Sequence, residues 1–159
     1  MRGKLQRGLA AVAIAVTVAT ALTACGTKNI SKKTYMEEVD KLSVVSENFY
    51  TAMAEWAENI TNGADTETTK AGVEKMREIV KGYNELAAIE NPPKAYAKLH
   101  IRLVEGLRKL VRVMDVYFDS LLSGLDGVPL SEEDAKRVQE NVLDQIEEVS
   151  AILKELNEK

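Results

Sequence analysis

Apolar side chains recur every three or four residues in four stretches of the chain, which is the spacing of one face of an α-helix. The stretches run from Thr34 to Ile60, Thr66 to Glu90, Pro92 to Ser123 and Ser131 to Asn157. None alternates between polar and apolar positions as a β-strand does. Because short connections make neighbouring helices antiparallel, the pattern predicts an all-α fold, an antiparallel up-down-up-down four-helix bundle.

Residues that begin or interrupt helices stand between and within these stretches. Those with capping character are Thr34 with Glu37, Asp65 or Thr66, and Ser131 with Asp134. Asn91 is expected to cap the third helix, with Pro92 as its first helical residue. Gly72 and Gly82 lie inside the second stretch, and each lowers helix stability by roughly 1 kcal/mol relative to alanine. The second helix is therefore expected to be the least stable.

The spacing also predicts which side chains point into the bundle. The expected inward face of the first helix is Tyr35, Val39, Leu42, Ser46, Phe49, Met53, Trp56 and Ile60. The expected inward face of the fourth is Ala135, Val138, Val142, Ile146, Val149, Leu153 and Leu156. Ser46 is the only polar member of the first face. The aromatic residues Phe49, Trp56, Tyr117 and Phe118 either form core or line an apolar pocket at the far end of the bundle.

The first 25 residues have a different character. Arg2, Lys4 and Arg7 make a basic start without an acidic residue, and residues 9–22 are apolar or small apart from two threonines. A basic start, an apolar stretch and small residues before a cut site are typical of an export signal. The apolar stretch is about 14 residues, short of the roughly 20 that span a bilayer, which disfavours the alternative of an uncleaved transmembrane anchor.

The segment ends in Leu22-Thr23-Ala24-Cys25, which resembles the lipobox of bacterial lipoproteins. The resemblance implies cleavage between Ala24 and Cys25 and attachment of a diacylglyceryl group to the Cys25 thiol. In some bacteria it also implies acylation of the new amino terminus. The expected location is therefore the extracytoplasmic face of the cell membrane, with membrane lipid as the anchor.

This interpretation divides the chain into a signal peptide at 1–24, a lipidated cysteine and polar tether at 25–33, and a bundle domain at 34–159. Cys25 is the only cysteine, so no intrachain disulfide and no cysteine-based metal cluster can form. Without the signal, 18 basic residues stand against 25 acidic ones, a net charge of −7. An acidic domain excludes nucleic acid as a partner and argues against the body lying on an anionic membrane.

His100 is the only histidine, and it falls on the expected inward face of the third helix. It is either a metal or haem ligand, a proton switch, or a histidine hydrogen-bonded at the edge of the core. A di-iron bundle needs Glu-x-x-His on two helices, and no such motif occurs. The sequence offers no nucleophile–base pair, because it has one histidine and no G-x-S-x-G motif and its cysteine is expected to carry lipid. We therefore expect no catalytic residue, metal or cofactor, and the candidate ligand-binding residues are His100, Trp56 and Tyr117.

Acidic residues follow the fourth helix along its length. They are Glu140, Asp144, Glu147, Glu148 and Glu155. Such a run either faces a cationic partner or a divalent ion, or is a solvated surface balanced by basic residues elsewhere.

The Pro92-Pro93 pair, Tyr96 and the Leu99-His100 pair also resemble features of small all-helical lipoproteins of Gram-positive bacteria, a resemblance that implies no activity. The leading expectation is a non-enzymatic envelope protein that binds a protein or cell-wall partner. The alternative is a small-ligand or metal carrier or sensor with a pocket inside the bundle. An apolar cavity of roughly 300 Å³ or more favours the carrier. A filled core with an exposed apolar patch favours the interaction protein.

Overall fold

The computed structural model describes residues 28–159, which fold into four long helices that pack against one another. The helices are α1 (Lys32–Thr61), α2 (Thr66–Lys81), α3 (Ala97–Leu125) and α4 (Glu132–Asn157), with 3₁₀ segments at Gly82–Ala88 and Lys94–Tyr96. No strand occurs in this part of the chain, which confirms the predicted all-α class. None of the four helices has both the length and the apolar character needed to span a bilayer. Cys25 and the expected signal peptide lie outside the described residues.

Side-chain caps set three of the helix starts. Ser31 caps α1, because its Oγ accepts a hydrogen bond from the Thr34 backbone N–H at 3.0 Å. The expected cap pair of Thr34 with Glu37 is therefore wrong, and the helix begins at Lys32. The caps at Asp65 and Ser131 are confirmed, since each side chain accepts from the backbone N–H three residues further on.

The second helix is shorter than its hydrophobic pattern predicts. It was expected to reach Glu90, but the α-helix ends at Lys81 and continues as a 3₁₀ segment from Gly82. Glycine weakens an α-helix at that point. A β-carbon at Gly82 would lie 3.1 Å from Val45 Cγ2, so the small residue also allows the segment to approach α1.

The double proline shifts the start of the third helix. Pro92 was expected to be its first residue with Asn91 as the cap, but α3 begins at Ala97 after a short 3₁₀ turn that follows Pro93. The reason is steric, because the residue before a proline is pushed out of helical geometry, and here that residue is Pro92. The backbone carbonyl of Asn91 instead accepts a hydrogen bond from the Ile30 N–H at 3.0 Å.

The helices pack in chain order, α1 on α2, α2 on α3 and α3 on α4, whereas α1 and α4 are not packed along each other. The apolar core includes Tyr35, Val73, Leu103, Leu107, Phe118 and Leu156, all of which are almost fully buried. Because each helix packs on the next one in sequence, one side of the bundle is left open between α1 and α4.

Four residues expected to face inward are exposed, namely Met53 and Ile60 on α1 and Ala135 and Ile146 on α4. Met53 and Ile60 on α1 are 40% and 45% exposed, and Ile146 on α4 is 38% exposed. The predicted stripe on α1 repeats every seven residues, and such a stripe drifts by about 20° per repeat on a straight helix. Toward the end of α1 the stripe has therefore turned away from the core, and Ala52 is buried instead. Ile146 is exposed because it borders the open side between α1 and α4.

The lack of a side chain at Gly72 on α2 leaves room for Trp56 of α1. A β-carbon there would lie 2.5 Å from Trp56 Cδ1, a distance that forces the indole to move. The indole N–H donates to the Thr69 backbone carbonyl at 3.0 Å, so the ring is fixed in place.

We predict that Gly72→Ala destabilises the fold although alanine favours helix. Overpacking costs about 1–3 kcal/mol and the helix gain offsets about 1 kcal/mol, so the net loss is up to about 2 kcal/mol. Urea unfolding followed through the emission of Trp56, the only tryptophan, measures both the loss and the displaced ring. Gly124→Ala is the control, because nothing lies within 4 Å of its added carbon and its stability should rise. Equal gains for both variants would contradict the prediction.

Candidate functional site

The three predicted ligand-binding residues lie apart. His100 is in the first turn of α3, Tyr117 is 17 residues further along the same helix, and Trp56 is near the end of α1. Seventeen residues of helix span about 25 Å, so His100 and Tyr117 cannot share one small ligand. Trp56 borders a shallow depression of about 240 Å³ between α1 and α2, and its N–H is already bonded to Thr69. None of the three main cavities in residues 28–159 is lined by two of them.

His100 belongs to a buried aromatic cluster at one end of the molecule. It is 6% exposed, and its Nδ1 lies 3.3 Å from the Tyr35 hydroxyl. The Tyr35 ring also lies 5.5 Å from the ring of Tyr96, measured between centroids. With a neutral imidazole, Tyr35 can donate to Nδ1. The Ile89 backbone is a further hydrogen-bonding neighbour of the ring. Such partners are those of a structural histidine.

The ionisation of the cluster fits this role. Burial lowers the pKa of His100, and the hydrogen bond with the Ile89 backbone opposes that shift less strongly. Burial, with Tyr96 adding to it, raises the pKa of Tyr35 to about 12. Both groups are thus neutral near pH 7. Nowhere in residues 28–159 do three histidine, cysteine or carboxylate side chains converge to hold a metal ion.

We predict that His100→Gln lowers the free energy of unfolding by about 1–2 kcal/mol at neutral pH, the scale of a disturbed buried hydrogen bond. The folded chain binds fewer protons at His100 than the unfolded chain does. The contribution of His100 to the free energy of unfolding is therefore complete above about pH 6.5. It is lost as the pH falls from there toward the lowered pKa of the folded state. The slope is at most about 1.4 kcal/mol per pH unit.

Urea unfolding at about pH 5.5 and pH 7.5 measures this dependence on either side of the ordinary histidine pKa. Since His100 is the only histidine, the variant should lack this part of the slope. A purified wild-type chain that carries stoichiometric iron, zinc or haem, lost in His100→Gln, would contradict a structural role.

A groove lies between α1 and α4. It has a volume of about 480 Å³. Its walls are residues from Val39 to Tyr50 on α1 and from Ile146 to Asn157 on α4, each about 17 Å long. The residues that line it are Val39, Asp40, Leu42, Ser43, Ser46, Glu47, Phe49, Tyr50, Tyr83, Leu107, Leu110, Met114, Ile146, Val149, Ser150, Leu153 and Asn157. We call this the α1–α4 groove.

A pair of hydroxyl groups marks the wall of the α1–α4 groove. Ser46 Oγ lies 2.8 Å from the Tyr83 hydroxyl and donates to the Leu42 backbone carbonyl at 3.0 Å. Tyr83 therefore donates to Ser46. Burial raises the pKa of Tyr83, and the Ser46 contact opposes this in part, so Tyr83 is a neutral hydrogen-bonding group. Ser46 was the one polar residue on the predicted inward face of α1, which was the only sequence signal for this site.

The charge on the α1–α4 groove is acidic. Its lining contains the carboxylates Asp40 and Glu47 but no lysine, arginine or histidine. Neither carboxylate forms an ion pair with any residue of the described chain. By contrast, three acidic residues of the run along α4 are paired, namely Glu140 with Lys136, Glu148 with Lys109 and Glu155 with Arg102. Much of the acidic run on α4 is thus balanced by basic residues, whereas Asp40 and Glu47 in the groove are not.

No protein-family model, no curated protein sequence and no solved structure matches this chain at a significant level. The fold and the site therefore define the class of protein by themselves, an all-α protein of four packed helices with a lateral, mainly apolar groove between the first and the last.

Proposed function

We propose that this protein is a lipid-anchored extracytoplasmic binding protein, not an enzyme, and that it holds the apolar side of a partner in the α1–α4 groove. The observation that carries the proposal is the groove itself, with apolar walls and a volume of about 480 Å³. Ligand sites in proteins start at about 300 Å³. Tyr50, 59% exposed, and Ile146, 38% exposed, form part of its lining, and no element of residues 28–159 covers them.

A small-ligand carrier is the second candidate, because the volume is sufficient for one. Carrier pockets bury about 70–90% of a small ligand. The α1–α4 groove is open along one side between two helices, so an occupant keeps one face in water. This shape supports a larger partner that contributes only part of its surface.

The proposed anchor rests on the lipobox-like residues that end at Cys25. The described chain supports a short connection to it. The Asn29 side chain donates to the Pro92 backbone carbonyl, and the Ile30 N–H donates to the Asn91 carbonyl. Only three residues separate Cys25 from Asn29, and the four steps along the chain reach about 13–14 Å when extended. The expected eight-residue tether is thus largely docked, and a lipid on Cys25 would hold the bundle close to the membrane.

We also infer an antiparallel up-down-up-down order, which fixes how the bundle stands on that anchor. Along α1, Glu55 meets Lys75 of α2 and Ser46 meets Tyr83 of the 3₁₀ segment that follows, so the partner numbers fall as the α1 numbers rise. The Asn91–Pro93 turn then lies at the membrane end together with the chain terminus, whose Lys159 donates to the Ala95 carbonyl. The groove opens sideways, parallel to the membrane.

Spin labels placed singly at residues 63, 92 and 126 of the lipidated chain in vesicles measure this orientation. Residue 92 should be closest to the lipid, by roughly the 35–40 Å length of such a helix. Equal depths at the three positions would contradict it.

Thiol labelling in intact cells tests the proposed function. Cys25 is the only cysteine, and a lipid would block its thiol, so single cysteines at Ser43 or Ser150 in the groove become the only targets. Glu58→Cys is the control, exposed on α1 outside the groove. A membrane-impermeant maleimide should label all three positions in intact cells, as an extracytoplasmic location requires.

The groove positions should react several-fold more slowly in cells than in the purified chain, because an occupant covers them, while Glu58→Cys reacts equally in both. Labelling only after lysis would contradict the location. Equal rates in cells and in purified protein at Ser43→Cys and Ser150→Cys would contradict the binding role of the groove.

A further inference from the structure

We propose that the occupant of the α1–α4 groove is a basic amphipathic helix of a partner protein. Its apolar stripe would lie on the groove walls and its lysine or arginine side chains beside Asp40 and Glu47. This inference rests on the proposed function and names the chemical class of the partner.

The shape of the site supports a helix. Each wall is itself a helix that lines the groove for about three turns, or about 17 Å. Helices that dock in grooves use apolar residues at positions i, i+3 or i+4, and i+7, which span a similar length. Leu110 and Met114 of α3 line the groove between the two walls. A docked helix would therefore supply the contact that α1 and α4 do not make with each other.

The charge of the site selects the kind of helix. Asp40 and Glu47 are seven residues apart, so they lie two turns apart on the same side of α1. Both are exposed, and neither has a basic partner in residues 28–159. Lysine or arginine residues with the same spacing on the occupant would pair with them.

The same two carboxylates would repel an anionic occupant such as a fatty acid. On the opposite wall Lys154 is next to the lining residue Leu153, whereas Lys41, which follows Asp40 on α1, is already paired with Glu38. The basic edge of the occupant should therefore face α1 rather than α4. This arrangement gives the partner one preferred direction across the groove.

Synthetic peptides of about 14 residues, roughly four helical turns, test the inference. The first has a leucine stripe with lysines along one edge, the second has glutamates in place of the lysines, and the third has the lysines with the leucine stripe scrambled. Fluorescence anisotropy measures their binding to the full lipidated chain in nanodiscs of phosphatidylcholine, with empty discs as the blank. We expect the first peptide to bind at least about tenfold more tightly than the other two, which is about 1.4 kcal/mol.

Variants of the chain assign that preference to the groove. Asp40→Lys combined with Glu47→Lys should reverse the order, so that the glutamate peptide binds more tightly. Glu58→Lys combined with Glu105→Lys is the matched control, since both residues are exposed and neither lines the groove. Ser43→Trp combined with Ser150→Trp fills the groove and should abolish binding. Circular dichroism confirms that each variant remains helical.

Each contrary outcome separates this inference from the proposed function. Equal binding of lysine and glutamate peptides, lost in the groove-filled variant, overturns the basic helix and leaves a groove-binding protein. Saturable binding of palmitic acid alone, if it is lost in the groove-filled variant, also overturns the basic helix and leaves a groove-binding protein. Dimerisation of the chain through the groove has the same consequence. Peptide binding that survives groove filling overturns the inference. If the groove cysteines are also unprotected in cells, the proposed function fails as well.

Discussion

Replacing Cys25 with alanine should abolish incorporation of a fatty-acid probe. The chain has no other cysteine, so no second thiol can accept the diacylglyceryl group that the lipobox resemblance implies. The variant should also keep its first 24 residues, because cleavage before residue 25 would follow lipidation. Metabolic labelling with an alkyne fatty acid, followed by mass spectrometry of the amino terminus, measures both effects.

Thr27→Ala is the matched control, two residues after Cys25, and it should be labelled and processed like the wild type. Label that persists in Cys25→Ala would place the lipid elsewhere. A wild-type chain that never takes up label would remove the lipid anchor from the proposed function, while the groove and its chemistry would stand.

The second large effect is expected in the core. Phe118→Ala should lower the free energy of unfolding by about 3–5 kcal/mol, as loss of a buried phenylalanine does. Phe118 is fully buried, its ring lies 6.5 Å from that of Phe49, and the Arg77 guanidinium lies 5.9 Å from its centre. The total free energy of unfolding of a small domain is only about 5–15 kcal/mol, so the variant should be close to unfolding.

Urea unfolding measures this loss as a shift of the midpoint with an unchanged slope. Val116→Ala, on the same helix but 54% exposed, is the control and should change stability by at most about 0.5 kcal/mol. Similar small losses for both variants would mean that Phe118 does not lie at the centre of the packing.

Local chemistry explains what could be predicted from the sequence. The four helices follow from apolar spacing, and the caps at Asp65 and Ser131 follow from side chains that reach a backbone N–H three residues away. The same local rules were insufficient around Gly82 and Pro92. At both places two effects compete. The spacing of the apolar residues favours a continuous helix, whereas glycine and a residue before proline disfavour helical backbone geometry.

The groove could not be predicted in the same way, because it depends on a contact that is missing between helices almost 100 residues apart in sequence. Its lining consists mainly of ordinary apolar residues that a periodic pattern assigns to the core. His100, Trp56 and Tyr117 were selected by residue type, and none of the three main cavities in residues 28–159 is lined by two of them. Ser46 was noted only as the one polar residue on an apolar face, and no groove was predicted from it, although it lies on the groove wall.

Photo-crosslinking in intact cells tests most directly whether the α1–α4 groove is the binding face. A benzophenone amino acid replaces Tyr50 or Ile146 in the groove, or Ile101 or Val116 as controls on α3. All four side chains are apolar or aromatic and 38% to 59% exposed, so only their position differs. We expect an adduct of the same discrete mass from both groove positions, absent from both controls and lost when Ser43→Trp fills the groove. Adducts from the α3 positions alone, or equally from all four, would contradict the account.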